Sequence, residues 1–530
     1  MSAGPRPSTP PRRLPDVAAA AGLAPSAVAA IGDPASLVEV RGVTHDSRGV
    51  VAGDLYAALP GFRTHGAEFV ADAVAAGAVA VLTDPSGADR ASGHGVPVVV
   101  VDDPRASLGA VASYVYGDPS HDLVVVGITG TNGKTTTSYL VDAGFRAAGH
   151  LTGVIGTVGT RIGDEVVPTA RTTPEATDVH ALLAVMRERG VTAVTMEVSS
   201  HAMRLGRVDG VRFAVVGFTN LTEDHLDFHD DMADYFDAKA QLLTTARAGL
   251  GVVCLDDAWG AQLIERATSA GLPCTTYAVT RHDATWTAHD LTSVPGGSVL
   301  RAHGPEGVDV AVEVHLPGAF NVANALGAVA LLAAAGVDPF VAAGGIAQCP
   351  GVPGRMERVP DPDVDRALFA YVDYAHTPDA VERALVAARE VATARVGTRG
   401  RVLVVLGAGG DRDPHKRFAM GEAAVHGADI VIVTDDNPRS EDPTAIRREI
   451  LRGARAITGK RRLEVADRRK AIASGVALAG DRDVLLVLGK GHEQGQEVAG
   501  TVTPFDDRVV LAELLAGTEV QPLEAPEDQP

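Results

Sequence analysis

Short, uninterrupted apolar runs recur along this chain, each followed by a glycine- or aspartate-rich turn and then a stretch of helix length. "VVVGITG" from Val124, "VTAVTME" from Val191, "FAVVGF" from Phe213, "RVLVVLGAGG" from Arg401, "DIVIVTDDNPR" from Asp429 and "DVLLVLGKGHE" from Asp483 are of this kind. A short apolar run bounded by turn signals reads as a strand buried on both faces. Its alternation with helical stretches predicts an α/β fold, with mostly parallel sheets covered by helices. In such folds the chemistry lies in the loops at the carboxyl ends of the strands. Three blocks separate on this pattern, residues 15–119, 120–350 and 351–517. The Pro-rich residues 1–14 and the acidic, Pro-containing residues 518–530 are expected to be disordered tails outside the fold.

Composition narrows the function classes. The chain has 530 residues, 46% of them apolar, too many for a mostly disordered protein. A net charge of −20, with no cluster of basic and aromatic residues to offset it, argues against nucleic acid as a partner. Cys254, Cys274 and Cys349 have no metal-ligand spacing and suit a reducing compartment. No apolar run approaches the roughly 18–20 residues that span a bilayer, and the first residues lack the apolar core of a signal peptide. A cytoplasmic monomer with no membrane partner is the expectation.

The candidate chemistry begins at "GITGTNGKTTTSYL". A strict phosphate-loop motif needs a glycine where Ile128 stands, so the pattern fails as a string. Its physics survives. Gly130 and Gly133 permit a tight turn, the next N–H groups open a helix toward an anion, Lys134 can reach a terminal phosphate, and Thr135 or Thr136 can bind Mg²⁺. ATP is the expected ligand of Gly130, Thr131, Asn132, Gly133, Lys134, Thr135 and Thr136. Glu197 ends one strand run, and Asn220, Glu223, Asp224, His225, Asp227 and His229 follow another. Oxygen and imidazole donors there suit Mg²⁺ or Mn²⁺ better than a thiolate-preferring metal. In "DMADYFDAKAQLLTTARAG", the 3.6-residue period puts Lys239 on the apolar face of Met232, Tyr235, Phe236, Leu242, Leu243 and Ala246. Burial favours the neutral amine, which can add carbon dioxide to become an anionic carbamate.

These segments, with "EVSSHA", "NLTEDHLDFH", "DAKAQL", "LPGAFNVANALGA", "PGRMERV", "VDYAHTPDA", "GDRD", "DNPRSEDP" and "GKGHE", resemble the Mur ligase family from about residue 40 to 515. The resemblance implies a small α/β N-terminal domain for a UDP-linked substrate, a central phosphate-loop-type ATPase and a Rossmann-like C-terminal domain that brings an amino acid. It implies ATP-dependent amide formation on UDP-MurNAc-L-Ala-D-Glu through an acyl phosphate, with about two Mg²⁺ ions organised by Thr135, Glu197, His225 and carbamylated Lys239. Lys134, Glu197, His225 and Lys239 are the implied catalytic set. Asn324, Arg355, Asp373 and His376 match positions facing the nucleotide. Thr172, Thr173, Ser199 and Arg207 match positions binding the muramoyl-dipeptide, and Ser47, Phe62, Arg63 and Thr64 positions near the uridine end.

Within the family, "DNPR" marks members that add meso-diaminopimelate. That amino acid differs from lysine by one carboxylate, so a selective site needs a guanidinium fork for it and acceptors for the neighbouring ammonium. Arg412 and Arg439 follow strand runs and could supply the fork, while Asp436 and Glu493 could receive the ammonium. Asn437, Pro438 and Gly489 complete the implied set. Arg171, Leu205, His65 and His415 depart from commoner family residues. Rival readings are a folylpolyglutamate-synthase-like ligase, disfavoured by "HDSR" with a whole preceding block and by "DNPR", and a switch NTPase, which leaves the arginines of the last block unexplained.

Overall fold

The computed structural model describes residues 5–24, 37–61, 64–169, 171–294, 296–363, 368–393 and 400–517. Phe62, Arg63 and the expected tail 518–530 lie outside the described residues. The chain forms two compact units, residues 1–221, 228–277 and 327–342 in one, and 222–227, 278–326 and 343–530 in the other.

In the first unit, a four-stranded parallel sheet runs in the order Gly42–Thr44, Asp54–Ala57, Ala80–Thr83, Val98–Val100. Helix Pro104–Val115 packs in the same core, its first turn capped by the Asp103 carboxylate accepting from the Arg105 and Ala106 N–H groups. A second sheet places Thr152–Gly156, Ala193–Glu197, Val124–Thr129, Phe213–Phe218, Ala248–Cys254 and Cys274–Ala278 side by side, all parallel. Val125, Ile128, Val194, Met196, Val216 and Phe218 are wholly buried. Each contributes about 1.5–3 kcal/mol by leaving water. Burial on both faces is why these strands read as continuous apolar runs.

Residues 5–14 correct the expectation of a tail. Arg6 pairs with Asp54 at 3.0 Å and donates to the Gly49 carbonyl at 2.7 Å, Arg12–Arg13 pairs antiparallel with Glu39–Val40, and Leu14 is fully buried. A proline-rich segment has few backbone bonds of its own to satisfy. It docks here through the Arg6 side chain, the backbone of Arg12–Arg13 and the buried Leu14, which a compositional reading discounts.

In the second unit, six strands run in the order Glu357–Val359, Phe369–Asp373, Val484–Leu488, Val402–Leu406, Ile430–Val433, Arg461–Glu464, the first antiparallel and the rest parallel. Val484–Leu488, late in sequence, is inserted between two earlier strands. The loops after Asp373, Leu406, Val433 and Leu488 thereby share one end of the sheet, where α/β folds hold ligands. Trp286–Val294, Gly297–His303 and Asp309–Val314 form antiparallel pairs. The alternating pattern did not foresee them; their connections are too short for a crossover helix, so the strands turn back on themselves. Among the described residues no helix is long and apolar enough to cross a membrane.

Candidate active site

The glycine-rich turn joins Val124–Thr129 to helix Lys134–Ala147. Gly130 has φ 142° and a side chain there would meet Thr219 Oγ1 at 1.9 Å, so only glycine fits. The turn is braced from the next strand. Thr131 N–H donates to the Asn220 carbonyl at 2.9 Å, Asn132 N–H to Asn220 Oδ1 at 2.9 Å, and Thr219 Oγ1 to the Asn132 carbonyl at 2.6 Å. Asn220, read from sequence as a possible ligand, is engaged in this bracing. Lys134 Nζ donates to the carbonyls of Gly130 and Thr131, both at 2.9 Å. Thr135 and Thr136 lie buried in the first helical turn, whose N–H groups favour an anion.

Glu197, 1% exposed, ends its strand beside this turn. Its carboxylate accepts from Thr135 Oγ1 at 2.9 Å, Thr157 Oγ1 at 2.9 Å and Thr157 N–H at 2.8 Å. Thr157 is 3.0 Å from Thr172 Oγ1, and Thr173 Oγ1 donates to the Glu197 carbonyl at 2.8 Å while accepting from Ser199 N–H at 3.2 Å. Thr135, Thr172, Thr173, Glu197 and Ser199 are therefore one hydrogen-bonded group. Thr157 was missed in the sequence because nothing marks a lone threonine just after a strand. Arg207 donates to the Thr173 carbonyl at 3.4 Å and pairs with Glu175 at 2.9 Å; Glu175 also meets Arg105 at 3.3 Å and Arg171 at 3.2 Å. Burial lowers the Arg207 pKa, Glu175 opposes this, and Arg171 and Arg105 add to it.

Lys239 is 1% exposed; its Nζ donates to the Gly130 carbonyl at 2.7 Å and lies 4.4 Å from the centre of the Tyr235 ring. The inward placement matches the periodicity, although the helix ends at Ala240, earlier than the apolar stripe suggested. Among the described residues no group of three or more His, Cys, Asp or Glu side chains could hold a metal. Mg²⁺ needs no such cage, since it keeps several waters and takes one or two carboxylates together with phosphate oxygens. The buried Glu197 carboxylate and the Thr135 hydroxyl are hard oxygen donors of that kind. His225 belongs to the second unit, with φ 56° and its Nε2 3.5 Å from Asp224. Burial raises the Asp224 pKa, but His225, His376 and Lys416 outweigh it and the net shift is downward. Ser47 begins a short turn capped by Asp46, and Thr64 is exposed.

In the second unit, Asn324 Nδ2 donates to Asn321 Oδ1 at 3.0 Å, and Asn321 to the Pro317 carbonyl at 2.9 Å. Asp373 accepts from the N–H groups of Met356 at 2.7 Å and Ala375 at 2.8 Å; burial raises its pKa against the pull of Arg355. Arg355 stacks 4.6 Å above the Tyr374 ring, and His376 Nδ1 is 2.8 Å from the Tyr374 carbonyl. Burial, then Lys416, lowers the His376 pKa.

The "DNPR" and "GKGHE" loops meet. Asn437 Nδ2 donates to Glu493 Oε2 at 2.7 Å, and Gly489, at φ 116°, lies so close to Asp436 that a Cβ would fall 2.4 Å from its Oδ2. The Pro438 carbonyl accepts from Glu441 N–H at 3.0 Å. Arg439, at φ 52°, donates Nη1–H to the Gly410 carbonyl at 2.6 Å, with Nε 3.6 Å from Glu497. Hairpin Gly495–Val498 and Thr501–Pro504 grips it by backbone, Arg439 N–H to Glu497 O at 3.1 Å and Ala499 N–H to Arg439 O at 2.7 Å. Arg412 is exposed. Lys490, with no exposed surface, was not singled out in the sequence, though a lysine between two glycines at a strand end is a signal that could have found it.

A braced glycine turn beside a buried strand-end glutamate, followed by a second α/β sheet, is the plan of one enzyme class, and the chain belongs to the Mur ligase family. Family models match at residues 39–116 (Mur ligase family, catalytic domain), 128–332 (Mur ligase middle domain) and 354–491 (Mur ligase, glutamate ligase domain). More narrowly, it is similar to the UDP-N-acetylmuramoyl-L-alanyl-D-glutamate--2,6-diaminopimelate ligase of Streptomyces avermitilis, 55% identical over 91% of this chain and 93% of the relative. The protein of that name from Streptomyces coelicolor is 54% identical, over 92% of this chain and 95% of its own length. A solved structure of a protein of the same name is 32% identical, with a TM-score of 0.64, covering 91% of this chain and 96% of that one.

Proposed function

We propose that this Mur ligase joins meso-diaminopimelate to the D-Glu side-chain carboxylate of UDP-MurNAc-L-Ala-D-Glu, consuming ATP, in peptidoglycan precursor synthesis. The observation that carries the reading is the similarity, over nine-tenths of both chains, to relatives named for that reaction. The chain works in the cytoplasm as a monomer, in three domains bounded at residues 15–119, 120–350 and 351–517.

A carboxylate does not form an amide with an ammonium at neutral pH, since its oxygen is a poor leaving group and the ammonium carries no free electron pair. ATP therefore transfers its γ-phosphoryl group to the substrate carboxylate, the amine attacks the acyl phosphate, and phosphate leaves. Gly130 through Thr136 hold the phosphates, and Lys134 offsets charge on the transferring group. Mg²⁺, when bound, neutralises phosphate oxygens. Glu197 and Thr135 would hold it, with His225 and carbamylated Lys239 completing two sites. Asn324, Arg355, Asp373 and His376 orient the nucleotide. Thr172, Thr173, Ser199 and Arg207 hold the dipeptide, and Ser47, Phe62, Arg63 and Thr64 the uridine end. Arg412 and Arg439 receive the distal carboxylate of diaminopimelate, and Asp436, Asn437, Pro438, Gly489 and Glu493 frame its ammonium.

The test is phosphate release with ATP, Mg²⁺ and UDP-MurNAc-L-Ala-D-Glu, comparing meso-diaminopimelate with L-lysine and weighing the product. Turnover with diaminopimelate alone is expected. Turnover with lysine instead would overturn the specificity assignment, and release indifferent to either amine would overturn the ligase reading.

A further inference from the structure

Lys490 has no exposed surface and no part in the reaction just described, yet it sits where the "DNPR" and "GKGHE" loops meet. Its ammonium donates to Asn437 Oδ1 at 2.8 Å and lies 3.4 Å from Asp436 Oδ1 and 3.6 Å from Glu493 Oε2. Asn437 Oδ1 accepts a second bond, from Glu497 N–H at 3.0 Å. With two donors aimed at that oxygen, the amide has one satisfactory orientation, which turns Nδ2 toward Glu493 at 2.7 Å. Rotating it would point an NH₂ group at two donors and an oxygen at a carboxylate.

Charge follows the same geometry. Asp436 and Glu493 are neighbouring carboxylates, and two in one small site resist ionising together. Burial, then Asp436, raises the Glu493 pKa, Lys490, Asn437 and Arg439 oppose this, and the net shift is upward; among the described residues Tyr374 and Arg468 also face this cluster. With Lys490 charged and both carboxylates ionised, the Asp436–Lys490–Glu493 set carries one net negative charge. That matches one ligand ammonium, next to the Arg439 guanidinium for a ligand carboxylate.

We propose that Lys490 is a positioning and specificity residue, which fixes the polarity of Asn437 and sets a cation beside Asp436 and Glu493 so that the pocket accepts the ammonium-and-carboxylate end of a diamino acid. The inference rests on the reading of this pocket as the diaminopimelate site. The experiment measures kcat and KM for diaminopimelate and for ATP between about pH 5.5 and 9, in the wild type, Lys490→Met, Glu493→Gln and the double variant. Lys490→Met is expected to raise KM for diaminopimelate at least about tenfold, leave KM for ATP within about twofold, and move the acid limb of the diaminopimelate KM up by about one pH unit or more. Glu493→Gln removes that limb, and adding Lys490→Met to it restores none. A wild type that does not use diaminopimelate overturns the reading of the site. A wild type that does, with the KM and acid limb unchanged in Lys490→Met, overturns the role of Lys490 alone. If Lys490→Met does not fold, an acid limb that persists in Glu493→Gln overturns it equally.

Discussion

His180 makes the first unit sensitive to acid in a calculable way. It lies in helix Ala176–Glu188 with no exposed surface, and its Nε2 is 2.9 Å from the Asp209 carbonyl, so that nitrogen carries the proton. Its Nδ1 has no hydrogen-bond partner among the described residues. A second proton would enter a buried position with no acceptor. Burial accordingly pushes the pKa down to about 4, against the pull of the Asp209 carbonyl and the charges of Asp118 and Asp209. In the unfolded chain the same imidazole titrates near about 6.5. Because the folded value is the lower one, the unfolded state binds the extra proton between the two, and stability falls as pH drops from about 6.5 to about 4. The full loss is about 3 kcal/mol, of which about 2 kcal/mol has gone by about pH 5. His180→Gln keeps a donor for Asp209 and cannot titrate, so between about pH 7.5 and pH 5 the wild type should lose about 2 kcal/mol more than the variant in urea unfolding. Carbon-13 NMR of the histidine rings gives the direct reading. A resonance that vanishes in His180→Gln yet titrates in the wild type with a midpoint above about 6 would refute the reasoning.

Other outcomes follow from single contacts. Gly130→Ala forces a Cβ onto Thr219 Oγ1 at a φ that side chains rarely adopt; it should cost about 2 kcal/mol or more of stability, read by thermal melting, and abolish ATP-dependent phosphate release. Asp507→Ala strands the fully buried Arg468 guanidinium, which Asp507 meets at 2.6 Å, and should cost about 3–5 kcal/mol in denaturant unfolding; replacing both partners with leucine should recover much of it. Arg439→Ala should raise KM for diaminopimelate about thirtyfold or more, about 2 kcal/mol, with KM for ATP unchanged in the same phosphate-release assay.

The strands were legible because burial on both faces leaves a short apolar run, and flanking turn residues mark its ends. Glu197 was placed at a strand end for the same reason, and Lys239 was turned inward by periodicity alone. The antiparallel strands from Trp286 to Val314 escaped notice because their exposed faces break the runs that mark their parallel neighbours. Thr157, Glu175 and Lys490 escaped for a different reason. Each takes at least one partner from a segment distant in sequence, 40 residues for Thr157 with Glu197 and 53 for Lys490 with Asn437. Spacing along one chain carries no trace of such meetings unless a motif is already known. The role of Arg6 was hidden by its proline-rich setting, since composition reports the average of a segment and not the one side chain that finds an acid.

Arg468 binds three things at once: the Asp507 carboxylate, the Leu488 carbonyl at 3.0 Å and the Asp435 carbonyl at 3.3 Å. Leu488 ends its strand and Asp435 follows strand Ile430–Val433 by two residues, so the two carbonyls immediately precede Gly489 and Asp436. Its counter-ion, however, comes 39 residues later in order of synthesis, on helix Asp507–Leu515, whose Val510, Leu511, Leu514 and Leu515 also close one face of the sheet. At about 5–20 residues per second, a ribosome leaves that arginine without its acid for about two to eight seconds. Through that interval the guanidinium stays cheapest in water, and the face it will occupy stays open. The loops after Leu488 and Asp435 therefore set only once helix Asp507–Leu515 has been made, and a message cut short before Asp507 would yield a protein whose glycine turn is complete and whose Arg468 has no acid to hold it against those two carbonyls.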